Sequence, residues 1–111
     1  MRLVSINNAR RSRWSMASLA KIQRQRALLE VANRIEQEGL PAGPPYEITI
    51  TRHGKRKLDS DNLAASAKFV RDGIADALGI DDGDDEMATW LYRQEPGQYM
   101  VEIFIDCRTT K

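Results

Sequence analysis

Residues 46–79, YEITITRHGKRKLDSDNLAASAKFVRDGIADALG, hold the pattern that decides the fold. Tyr46 to Thr51 alternates as YEITIT, the period-two signature of a half-buried strand. The segment RHGKRKLDSD follows, basic until it turns acidic at Asp59. From Asp61 to Leu78 the period becomes helical: Leu63, Ala67, Val70, Ile74, Ala77 and Leu78 fall on one stripe. Asp61, Lys68, Asp72 and Asp76 fall on the opposite stripe, because steps of seven and eleven residues return close to the same angle. Gly79 closes the helix.

Upstream, LVSI (residues 3–6) suits a short strand, and the basic segment NNARRSRW follows it. A helix then reads from Ser15 to Glu38, capped by Ser15 or Ser18, with Leu19, Ile22, Leu28, Val31, Ala32 and Ile35 as its apolar face. Gly39 ends it, and LPAGPP is a loop by composition. Downstream of the acidic loop IDDGDDE, residues 87–94 and 98–106 read as two strands joined around Glu95-Pro96-Gly97. Tyr99, Val101, Ile103 and Ile105 alternate towards one face of the second. The order (β)αβαββ predicts an α+β fold, a small mixed β-sheet packed with two main helices. Residues 1–111 read as a single domain, with 1–14 as a basic arm or short strand.

Hydrophobic residues at 41% and charged residues at 30% exclude wholesale disorder. No apolar run is long enough to span a bilayer, and MRLVSINNARR lacks the apolar stretch of a secretory signal, so a cytoplasmic protein is expected. Cys107 is the single cysteine, which rules out an internal disulfide, and no Cys/His set suits a structural zinc. A core in 111 residues is marginal, so pairing with a second copy is expected. The net charge of +1 conceals a polarity. Residues 1–57 hold 12 Lys and Arg against 4 Asp and Glu, a net +8; residues 58–111 hold 5 against 12, a net −7. A basic half attracts polyanions and a dense set of acids attracts cations, which together point towards nucleic-acid chemistry.

Asp59-Ser60-Asp61-Asn62 places two carboxylates at a strand-to-helix transition, where they suit a hard cation such as Mg²⁺ (or Mn²⁺) that keeps several of its waters. The simpler reading is that Asp59 or Asp61 caps the helix and the other is an exposed loop residue. Asp81-Asp82-Gly83-Asp84-Asp85-Glu86 sets five acids in six positions, which repel one another unless a cation compensates; a solvated turn is the simpler reading. The spacing does not fit a calcium loop. Lys68 shares the stripe of Asp61 and suits charge stabilisation at a scissile phosphate, or an i,i+4 pair with Asp72. Arg52, His53, Lys55, Arg56 and Lys57 precede the acids and, with Arg71, suit contacts to a phosphate backbone; Arg10, Arg11, Arg13, Lys21, Arg24 and Arg26 extend that surface. His53 lacks the partners of a triad or a zinc site. Trp14, Trp90 and Tyr92 suit core or sheet-face positions, and Cys107 suits packing.

Taken together, KRKLDSDNLAASAKFVRDGIADALGIDDGDD resembles the RusA family of endodeoxyribonucleases, found largely in phages and prophages. That family's pattern runs D-x-D-N, a helix with a Lys and an Asp four residues later, then a D-D pair before a strand. Asp59, Asp61 and Asn62 match the first element, Lys68 and Asp72 the second, and Asp81-Asp82 the third. The resemblance covers roughly residues 46–106. It implies a small homodimeric, Mg²⁺-dependent nuclease that resolves four-way Holliday junctions, with Asp59, Asp61 and Asp82 as carboxylates and Lys68 as the functional lysine. The intervals depart from the family's: Asp61 to Lys68 is longer, and Asp72 to the acidic pair is slightly shorter, so Asp81 competes with Asp82. A non-catalytic DNA-binding module of the same fold is the alternative. A straight helix over 61–78 would set its ends about 27 Å apart at 1.5 Å per residue, so Asp82 meets Asp59 and Asp61 only if the helix starts late or breaks near Gly73 or the connecting loop doubles back; otherwise the site is shared between subunits.

Overall fold

The alternation at Tyr46 builds the central strand. In the computed structural model, which describes residues 2–5, 16–40 and 44–107, β1 spans Arg2–Ser5, α1 Met16–Glu38, β2 Tyr46–Gly54, α2 Ser60–Leu78, β3 Ala88–Pro96 and β4 Met100–Cys107. Tyr46, Ile48 and Ile50 of β2 are buried, as period-two burial on one covered face requires. β2 pairs parallel with β3 and antiparallel with β4, giving a mixed three-stranded sheet, and the short β1 pairs antiparallel with the outer edge of β4. Two helices pack on the face that carries Ile48, Ile103 and Ile105, which are all but inaccessible to water. The chain is thus an α+β fold, and no helix among the described residues is long and apolar enough to cross a membrane.

The apolar stripe of α2 faces that core: Leu63, Ala67, Val70 and Ile74 are buried, and Ala77 and Leu78 pack beside them. Asp59 caps the helix and Gly79 terminates it in the left-handed conformation, φ 70°, that glycine adopts without steric penalty. The helix is continuous through Gly73, where α1 crosses it. A Cβ at position 73 would run into the Arg24 carbonyl oxygen and lie 2.8 Å from the Ala27 Cβ, so glycine sets the approach of the two helices. The close approach shifts the buried line of α1 to Ala27 and Val31, with Ile35 at its margin. Ile22 and Ala32, expected in the core, are exposed instead. Ser18 lies inside α1, which begins at Met16, and so is not its cap; Ser15 lies outside the described residues, as do Trp14 and the arginines at 10, 11 and 13.

β3 and β4 are consecutive but not adjacent, because β2 runs between them. Residues 97–99 cross the end of β2, where the Gly97 amide donates to the Gly54 carbonyl at 3.2 Å. Two strand spacings amount to about 10 Å, within reach of three extended residues. The order agrees with burial: β2, which carries more buried positions than β3 or β4, is hydrogen-bonded along both edges, while an outer position goes to β3, whose Arg93, Glu95 and Pro96 tolerate water. Cys107, expected to pack, is exposed at the end of β4, beyond the last buried position, Ile105.

Candidate functional site

The loop between β2 and α2 is held from below by side chains of the sheet. The Arg52 Nη1 donates to the Arg56 carbonyl at 2.8 Å, and its guanidinium lies 5.5 Å from the centre of the Tyr99 ring. The Gln94 side-chain amide pairs with the Leu58 backbone in both directions, accepting from its N–H at 2.9 Å and donating to its carbonyl at 2.6 Å. Lys55, Arg56 and Lys57 are exposed above them and border a groove of about 350 Å³ that also touches Glu95 and Pro96. The basic loop is therefore presented to solvent, and a polyanion backbone can reach it.

Asp59 ends this loop. One carboxylate oxygen accepts from the Asn62 amide N–H at 2.9 Å and the other from the Asn62 side-chain amide at 3.1 Å. Of the two candidate caps, Asp59 and Asp61, Asp59 is the one that caps α2, and Asn62 serves it twice. A carboxylate has about four lone-pair sites, so capping leaves acceptor capacity on both oxygens. Asp61 is exposed in the first turn, where the helix dipole favours an anion. Lys68 stands two turns further on, well exposed, with its Nζ 3.7 Å from Asp72, a loose surface pair that adds little to stability.

The second acidic segment follows the other end of α2. Asp81 accepts from the Gly83 amide at 3.0 Å and Asp84 from the Glu86 amide at 3.0 Å, so part of the acid density is turn chemistry. Asp82 is held more firmly. Arg71 Nε reaches its Oδ2 at 3.1 Å, Arg71 Nη2 donates to its carbonyl at 2.5 Å, and Trp90 Nε1 donates to the same carbonyl at 3.0 Å. Arg71 also donates to the Tyr92 hydroxyl at 2.8 Å and lies over the Trp90 ring at 4.7 Å. Arg71, expected to contact DNA, thus turns inward and holds the acidic loop. Trp90 and Tyr92 are the sheet-face residues they were expected to be, with Arg71 as their partner.

The 19 residues of α2 extend about 28 Å, so one chain keeps Asp59 and Asp61 at one end and Asp81 and Asp82 beyond the other. Among the described residues no three Asp, Glu, His or Cys side chains are placed to hold a metal ion. Neither a late start nor a break at Gly73 brings the acids together.

Other charged candidates are engaged in ion pairs. Arg24 grips Asp76 through two hydrogen bonds, 2.7 and 3.0 Å, and this contact with its charge holds the Asp76 carboxyl below its ordinary value. Arg26 reaches Glu30 at 3.4 Å. His53 Nε2 lies 3.2 Å from Glu102 Oε1, a pair that is ionic only with His53 protonated. Burial raises the Tyr46 hydroxyl pKa.

Sequence reasoning missed Gln94 and Tyr99 as supports of the loop. The signal for Gln94 lies in the strand register, which pairs it with Arg52, and a lone Gln in a strand carries no motif. No protein-family model, curated protein or solved structure matches the chain.

Proposed function

We propose that the chain is a Mg²⁺-dependent, structure-selective endodeoxyribonuclease of RusA-like fold that resolves four-way DNA junctions by paired nicks. One observation carries the reading: the exposed Asp59 and Asp61 carboxylates directly follow an exposed basic loop, Lys55 to Lys57, on a backbone held by the sheet. Two such carboxylates suit a hard cation that keeps most of its waters. Bound there, Mg²⁺ would supply an activated water and compensation of charge at the phosphorus. Lys55, Arg56 and Lys57 would hold the DNA backbone, and Lys68 would stabilise charge developing on the scissile phosphate.

A third carboxylate, Asp82 or Asp81, would come from a second copy. Two antiparallel copies of α2 would set the N-terminal acids of one beside the C-terminal acids of the other. Such a homodimer carries two sites, which suits a two-fold junction cut on opposite strands. The separation of the acids within one chain favours a second reading, a DNA-binding module without catalysis.

Incubating the purified protein with four-way junction, flap and linear duplex DNA, in Mg²⁺ or EDTA, decides between them. Cleavage of the junction in Mg²⁺ alone supports the nuclease. Junction binding with no cleavage in Mg²⁺ or Mn²⁺ supports the binding module.

A further inference from the structure

We infer that the outer edge of β3 is the surface on which a second copy of this chain pairs, antiparallel about Leu91, to make one continuous sheet across a homodimer. β3 ends the strand order β1-β4-β2-β3, so one of its edges meets β2 and the other meets no strand among the described residues. The ladder with β2 fixes which groups lie on that open edge. The Tyr46 N–H donates to the Met87 carbonyl at 2.9 Å, and the Gly97 N–H to the Gly54 carbonyl at 3.2 Å. Backbone groups alternate in direction along a strand, and the β2–β3 register is regular from Ala88 to Pro96. Odd-numbered residues of β3 therefore turn their N–H and C=O to β2, while Trp90, Tyr92 and Gln94 turn theirs outward. Ala88 offers only its carbonyl there, because its N–H donates to the Asp84 carbonyl at 3.1 Å. The residues that protect an edge from pairing, charges and proline, sit at Arg93, Glu95 and Pro96. Thr89 to Tyr92 include none of them, and Leu91 is 37% exposed.

A second copy is the occupant this edge fits, because the edge is complementary to itself. A two-fold axis at Leu91 sets it against Leu91 of the second copy as a non-hydrogen-bonded pair, with Cα atoms about 4.5 Å apart. On both sides of the axis Trp90 then faces the second copy's Tyr92 as a hydrogen-bonded pair, and Gln94 donates to the second copy's Ala88 carbonyl. This satisfies the outward N–H of Trp90, Tyr92 and Gln94 in both copies, with about six interchain backbone hydrogen bonds. On the uncovered face of the sheet, Leu91 lies in one row with Thr49 and with Phe104, which is 43% exposed. The leucine pair joins the rows of the two copies into one apolar strip. Charge agrees with the same register. Asp84, Asp85 and Glu86 precede β3 at one end, and Lys55, Arg56 and Lys57 border the groove beside Gln94 and Pro96 at the other. Antiparallel pairing brings the acids of each copy alongside the basic loop of the other, an attraction formed twice. α2 crosses from β2 to the parallel β3, so the two copies of α2 run antiparallel on one side of the joined sheet. That suits the nuclease reading, but the interface rests on the strand edge and not on that reading.

Sedimentation equilibrium without DNA or Mg²⁺ tests the interface independently of any cleavage. The wild type is expected to be a dimer in the micromolar range. Leu91→Lys, which sets like charges across the axis, should raise the dissociation constant about tenfold or more. Cross-linking reads the register separately, in a Cys107→Ser background because Cys107 is exposed. Under mild oxidation Leu91→Cys should form an interchain disulfide, since the two cysteines meet at the axis. Arg93→Cys should not, because position 93 lies opposite Thr89 of the second copy and about 13 Å from its own counterpart. A wild type that stays monomeric throughout the micromolar range overturns the inference. So does a dimer that Leu91→Lys leaves intact, or one in which Arg93→Cys cross-links as readily as Leu91→Cys. If Leu91→Lys fails to fold, the two cysteine variants decide. A protein that dimerises and cross-links as expected but cleaves no DNA removes the nuclease reading and leaves the interface standing.

Discussion

Arg71 holds Asp82 at two points, its Nε 3.1 Å from the carboxylate Oδ2 and its Nη2 2.5 Å from the backbone carbonyl. The fork of a guanidinium allows both contacts while its face lies on Trp90, a geometry an ammonium cannot reproduce. Arg71→Lys should therefore destabilise the fold by about 1–2 kcal/mol, the range for hydrogen bonds to a charged group reduced for partial exposure. Urea denaturation measures this directly, and amides of residues 81–86 should lose exchange protection along with it. An unchanged midpoint would mean that the clamp contributes nothing.

Gly73→Ala opposes two effects of different size. Alanine gains about 1 kcal/mol in helix propensity over glycine. Its Cβ would meet the Arg24 carbonyl oxygen, which is backbone and yields only if the helices separate, an overpacking cost of about 3 kcal/mol. The net is a loss of about 2 kcal/mol, which lowers the thermal midpoint by about 10 °C in a domain of this size.

Asp76 links stability to pH. Its folded pKa lies below the ordinary 3.8 because Arg24 hydrogen-bonds and pairs with it. A depressed carboxylate contributes stability that is present above the unfolded pKa and disappears as pH falls through the folded value. The thermal midpoint of Asp76→Asn should therefore lie below that of the wild type at pH 6, and the gap should close as pH falls below 4. A gap that stays constant from pH 6 to pH 2 would show that the ion pair is not its source.

Asp59→Asn separates capping from chemistry. Asn caps a helix about as well as Asp, so stability should change by no more than about 0.5 kcal/mol. The same change removes a cation-binding charge, so junction cleavage should fall by about a hundredfold or more while binding persists. Mg²⁺ should raise the thermal midpoint of the wild type and not of the variant, because a ligand stabilises only the state that binds it. Equal cleavage by both proteins would remove Asp59 from the site.

The basic loop and Lys68 should respond differently. Replacing Lys55, Arg56 and Lys57 together with Ala should weaken binding to every DNA shape and lower the salt slope by about one unit per lost phosphate contact. Lys68→Ala should reduce the single-turnover cleavage rate more than affinity, as for a group acting in the transition state. If Lys68→Ala lowers affinity alone, Lys68 is a further phosphate contact.

Local pattern determined a great deal. The period change between Thr51 and Asp61 marks a strand and a helix, the stripe Leu63 to Ile74 is the buried one, and Asp59 and Gly79 are the caps. These features depend on residues within a turn or two of one another, so a linear string records them. The placement of β2 between β3 and β4, the turning of Arg71 onto Asp82, and the grip of Gln94 on Leu58 join residues 11 to 61 positions apart, and only the tertiary structure decided them. Gly73 shows the boundary most plainly. In sequence it reads as a weak point where the helix could break, but in the fold its bare Cα lies directly against the backbone of α1. The helix stays unbroken because packing against Arg24 and Ala27 outweighs the conformational freedom glycine would regain. That unbroken helix holds the two acidic segments apart.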